Sequence, residues 1–151
     1  MTATAAVTQA RTTRRGICFL SGVSIYLTSF FLPAVTLGER NDGWRGWECA
    51  WMALHPTTKF ESAGLLLLAS GLLNPIVIFY SALWLCHSQK TLRRVLAFAS
   101  IGLIPASWIF MANEHLAARI GHVAWVASIL MITGRDVLHA LGIHRQASMQ
   151  E

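Results

Sequence analysis

Charge is what this chain has least of. Its 151 residues include 12 Lys or Arg and 7 Asp or Glu, 13% in all, about half the share of an ordinary soluble domain. That scarcity excludes intrinsic disorder, which needs high charge and low hydrophobicity. With 54% hydrophobic residues and a mean hydropathy of +0.50, it also argues against a soluble globule. One small core cannot hide that much apolar surface, and a chain this short makes a single domain.

Other absences narrow the function classes. Three cysteines, Cys18, Cys49 and Cys86, form no framework, and the topology derived below gives Cys49 no partner, so no disulfide is expected. There is no Gly-rich phosphate loop, no His-Glu-x-x-His, no Cys-x-x-Cys and no Gly-x-Ser-x-Gly, which counts against a membrane enzyme. No acidic residue falls in the inner part of an apolar stretch, which counts against a proton-driven exporter. No apolar stretch alternates with period two, so β-barrel strands fit poorly. No basic helix of useful length lies outside the apolar stretches, so nucleic acid is not an expected partner.

What is present is four apolar stretches, at 16–37, 62–86, 95–112 and 116–134. Each is near the 20 or so residues that a spanning helix needs. Asn113, Glu114, His115 and Arg119 separate the last two, because charges at mid-bilayer cost roughly 2.5–3.5 kcal/mol each on insertion. The expected fold is therefore all-α, a bundle of four transmembrane helices over 16–142. A disordered cytoplasmic tail is expected at 1–15 and a second cytoplasmic tail at 143–151.

Orientation follows the cations. Arg11, Arg14, Arg15, Lys90, Arg93, Arg94, Arg135 and Arg145 fall on one side, against Arg40, Arg45, Lys59 and Arg119 on the other. The positive-inside rule places both termini in the cytoplasm. The first stretch is too long for a cleaved signal peptide and lacks a clean small-x-small site.

The most distinctive segment is the first outer loop. Trp44, Trp47, Trp51 and Leu54 recur at spacings of three and four, which predicts a short interfacial helix with the tryptophans on one face. Arg45, Glu48 and Met52 turn away from that face, and Glu48 stands where it can pair with Arg45. Pro56 ends the helix. Trp44, Trp47, Glu48 and Trp51 are thus either a membrane anchor or a partner-binding platform.

Inside the second stretch, Asn74-Pro75 breaks a backbone hydrogen bond, and the Asn side chain can bond a neighbouring helix. Ser70, Asn74 and Ser107 are the candidate intramembrane polar residues. Small residues four apart, Gly102 with Ala106 and Ala124 with Ser128, suit close helix packing within the chain or with another copy. The six histidines invite a metal or haem reading, for which Glu61, His115 and His122 are the candidate ligands. No cofactor is expected.

Leu32-Pro33-Ala34, then Gly43-Trp44 and Gly46-Trp47-Glu48-Cys49-Ala50-Trp51, then Asn74-Pro75 stand in an order that resembles a group of small bacterial four-helix membrane proteins of unassigned function. The likeness covers roughly residues 17–80. It implies a bacterial inner membrane and four spans, and it brings no catalytic or binding residues. The functional expectation is a non-enzymatic accessory, assembly or sensing component. Its partners are the bilayer and a second copy or another membrane protein. A small oligomeric transport unit with a polar site at Asn74 is the alternative, and a metal- or haem-binding membrane protein the second.

Overall fold

The computed structural model describes residues 3–37, 43–55 and 62–142. The chain is mostly helical. Helix α1 runs over Ala3–Ser29, α2 over Gly46–Leu54, α3 over Ser62–Leu85, α4 over Lys90–Asn113 and α5 over Ile120–Ala140. Strands β1 (Pro33–Leu37), β2 (Trp44–Arg45) and β3 (Leu116–Ala118) form one antiparallel sheet in the order β2-β1-β3.

Three helices, α3, α4 and α5, are long and apolar enough to cross a membrane, over Gly64–Leu85, Lys90–Asn113 and Ile120–Ala140. The apolar part of α1, Gly16–Ser29, is shorter. The expectation of one continuous span over 16–37 is thus corrected. Pro33 has no backbone N–H and disfavours helical geometry at Leu32. The helix stops at Ser29, and the chain re-forms as a strand. The α1 backbone is already helical from Ala3, where a disordered tail was expected, in a segment rich in the strong helix former alanine.

The fourth span is also shifted. Leu116–Ala118 pairs with β1, through Val35 with Ala118, Thr36 with Ala117 and Leu37 with Leu116. Only then does α5 begin. The strand pairing satisfies backbone groups that a turn would leave open. The sheet makes the chain other than strictly all-α. Its presence could not be read from hydropathy, because each strand is five residues or fewer.

Helix α1 packs on α5, α5 on α4, and α4 on α3. The ring closes where the Phe19 and Trp84 rings of α1 and α3 stack at 3.8 Å. Leu73, Val77, Tyr80, Ala97, Ile129 and Ile132 fill the centre. Outward faces stay apolar, with Leu65, Ile78, Phe79, Val95, Phe98 and Ile109 all exposed, a pattern consistent with helices able to cross a membrane. Pro75 and Pro105 lie within continuous α3 and α4 and face outward.

At one end, Arg93 of α4 donates two hydrogen bonds from Nη2 (2.9 and 3.2 Å) and one from Nε (3.1 Å) to the Asp136 carboxylate of α5. The Tyr80 hydroxyl of α3 donates a further one at 3.1 Å. Three helices are clamped there. The last span was expected to end at Gly134; α5 instead continues through Asp136 to Ala140, and Arg93 meets the charge.

At the opposite end, the sheet and α2 close the bundle. Helix α2 lies tightly on α3. A Cβ placed at Gly71 would stand 2.8 Å from the Ala53 carbonyl oxygen and 2.9 Å from the Ala53 Cβ, so only glycine admits this approach. Gly46 is equally confined, where α2 starts against the end of α1, with a Cβ 2.8 Å from the Phe30 Cα.

Candidate functional site

A short helix is present in the expected segment, as α2, but two of its faces differ from the expectation. Trp44 belongs to β2, opposite Val35, and not to the helix. Met52 faces inward and lines a cavity with Cys49 and Ala53, where the spacing had placed it on the wet side. Trp47 and Trp51 are exposed, and Trp51 stacks on His55 at 4.0 Å. Among the described residues Glu48 makes no ion pair. Its carboxylate accepts the backbone N–H of Arg45 at 2.7 Å, which caps the helix start and favours a negative charge at that end.

Beneath α2 lie two adjoining chambers. The smaller, about 70 Å³, is lined by Ser29, Cys49, Ser70, Asn74, His122 and Trp125, among others. The larger, about 300 Å³, is lined by Trp44, Cys49, Met52, Ser70, Ser107 and His122, with an otherwise mainly apolar wall. Thus Ser70 of α3 and Ser107 of α4, separate in the sequence, share one chamber, and Asn74 borders the other. Trp47 and Trp51 line neither.

Asn74 is a cross-link between helices. Its Oδ1 accepts the Tyr26 hydroxyl of α1 at 2.8 Å and the Trp125 indole N–H of α5 at 3.0 Å. Both lone pairs of that oxygen are thereby occupied. The Asn-Pro step alone did not reveal these partners. The available signal was that Tyr26 and Trp125 are polar-tipped aromatics within apolar stretches, and such tips need a partner when buried.

His122 differs from every other polar group there. It stands in the first turn of α5, 8% exposed, in the wall common to both chambers. Its Nε2 is the one buried side-chain N or O among the described residues without a hydrogen-bond partner. Leaving such a group unpaired costs about 1–3 kcal/mol. The imidazole is held edge-on to Trp108 at 5.0 Å and tilted to Trp125 at 5.5 Å. It is enclosed because β3 and β1 pack against the start of α5. Ser107 donates its hydroxyl hydrogen to the Ile104 carbonyl at 2.8 Å, so it meets the larger chamber as an acceptor.

The metal candidates do not converge. Glu61 lies outside the described residues. His115 is exposed on the turn after α4, in the left-handed region at φ 54°, while His122 is buried. Among the described residues no three His, Cys, Asp or Glu side chains gather to hold a metal ion.

Cys49 lines both chambers and is unpaired with another cysteine. Burial, reinforced by the neighbouring Glu48 carboxylate, pushes its thiol up to about 11. A raised value keeps the sulfur protonated, and hence unreactive, through neutral pH. In a C18S/C86S background, iodoacetamide labelling of Cys49 is expected to climb about tenfold per pH unit up to pH 11. A profile levelling off near the ordinary thiol value of about 8.5 contradicts this enclosure.

The chain matches no protein-family model, no curated protein and no solved structure.

Proposed function

We propose that this chain is a non-enzymatic membrane protein of a bacterial inner membrane, an accessory or sensing component whose working end carries the sheet and α2. One observation carries the reading. At that end α2, α3, α4 and α5 enclose adjoining chambers around an unpartnered imidazole. At the other end Tyr80, Arg93 and Asp136 satisfy one another.

In this reading α1 makes a fourth crossing, completed by the sheet, and both termini face the cytoplasm. The cation asymmetry supports that orientation, and the three long apolar helices support the membrane. The exposed Trp47 and Trp51 lie at the outer headgroup level, where an apolar ring with a polar N–H is favoured. The transport alternative rests on Asn74, whose oxygen is already committed to Tyr26 and Trp125; the accessory reading needs no such vacancy.

Native mass spectrometry of the protein ejected from its own membranes tests this proposal. The expected result is a mass above the 16.6 kDa chain that a non-lipid species contributes, either a small molecule or a second protein. A protein adduct that persists in the Trp47→Ala/Trp51→Ala variant binds elsewhere. A bare chain carrying lipid alone overturns the proposal.

A further inference from the structure

We propose that the larger chamber binds a compact, mainly apolar ring molecule carrying one hydroxyl or carbonyl oxygen, and that this oxygen meets Nε2 of His122. The inference rests on reading the sheet end as the working end, and it names the chemistry of what enters there.

Size is the first argument. The chamber measures about 300 Å³, and an apolar cavity of about 150 Å³ is known to hold benzene. The space therefore suits a fused or substituted ring system, and is too large for a single water or a bare ion. The wall is the second. Leu67, Phe110, Met111 and Leu116 contribute apolar surface, which rejects a sugar or a multiply charged metabolite by desolvation. The third is the placement of polar atoms. Binding pockets pair an apolar wall with a few oriented polar groups. Here Nε2 of His122 is buried and unpartnered. As donor or acceptor, by tautomer, it can meet a carbonyl or a hydroxyl. Entry is set by the two exposed lining residues, Trp44 and Glu114, at the rim of the chamber.

The probe is 2-naphthol, with naphthalene as its oxygen-free counterpart. Each is titrated into the full chain in phosphatidylcholine nanodiscs and followed by tryptophan fluorescence, with empty nanodiscs subtracted to remove partitioning into lipid. Saturable binding of 2-naphthol is expected, at least tenfold tighter than that of naphthalene. His122→Leu should erase that preference and leave naphthalene binding in place. Met52→Trp, which fills the chamber from α2 and leaves the imidazole in the chain, should weaken both at least tenfold.

Equal binding of the two probes to the wild type means that water meets the imidazole, and overturns the proposal. So does a preference that survives His122→Leu, or the absence of saturable binding above empty nanodiscs. Near-ultraviolet circular dichroism verifies that each variant is folded, and the Met52→Trp arm stands should His122→Leu not fold. If 2-naphthol fails while native mass spectrometry finds a partner protein released by the Trp47→Ala/Trp51→Ala change, the ligand inference falls and the accessory reading remains.

Discussion

Asp136→Leu should lower the unfolding free energy of the protein in detergent micelles by about 2–4 kcal/mol, one of the largest losses expected of a single substitution here. The carboxylate accepts three hydrogen bonds from Arg93 and one from Tyr80. The Arg93 and Asp136 side chains are only 17% and 15% exposed. Removing the acid leaves a guanidinium facing a low-dielectric interior without its counter-charge, and a buried phenol without its acceptor. The 2–4 kcal/mol range sits below that for a fully buried pair because some water still reaches this one. Removing both charges, as Arg93→Met with Asp136→Leu, should recover most of the loss, since the desolvation cost disappears with the attraction. Steric-trap or thermal unfolding measures both variants. A single variant within 1 kcal/mol of the wild type would show that the clamp is ornamental.

Gly71→Leu should lift α2 off the bundle. A Cβ at Gly71 meets Ala53 backbone at 2.8 Å, and backbone cannot swing aside as a flexible side chain can. The expected stability loss is about 1–3 kcal/mol, as for other overpacked sites. The larger effect is on access: both chambers lose part of their roof, Cys49 meets water, and its alkylation at neutral pH should rise at least tenfold. Gly102→Ala is the control. A Cβ at Gly102 meets nothing within 4 Å, so stability and Cys49 labelling should both stay at wild-type values. If Gly71→Leu leaves Cys49 as protected as before, α2 is not the lid of these chambers.

The two experiments address opposite ends of one bundle. The clamp sets how α3, α4 and α5 meet, and the glycine contact sets how closely α2 seals them. A ligand chamber needs both, because a buried imidazole is oriented only if the helix that carries it and the roof above it are held.

Hydropathy by itself determined the helices that are long and apolar enough to cross a membrane. The second stretch, at 62–86, coincides with α3 within a residue at its end, and the third falls inside α4. A long apolar run has one way to satisfy its backbone in lipid, and that is locally, within the helix. The α2 helix was legible for a related reason, its aromatic period. The candidate polar residues Ser70, Asn74 and Ser107 were likewise legible as polar atoms in apolar runs.

Only the tertiary structure decided the rest. Strands β1, β2 and β3 are too short to carry a period, and β3 pairs with a strand some eighty residues earlier in the chain. Asp136 lies beyond the expected end of the last span, and only the packing of α4 brings Arg93 to it. Asn74 looked available until α1 and α5 supplied Tyr26 and Trp125. His122 was legible as a candidate metal ligand, and its enclosure follows from β1 and β3 packing on the start of its helix. Each of these depends on a partner far away in sequence, and pairing across such distances is decided by how the helices pack, which no local pattern of residues records.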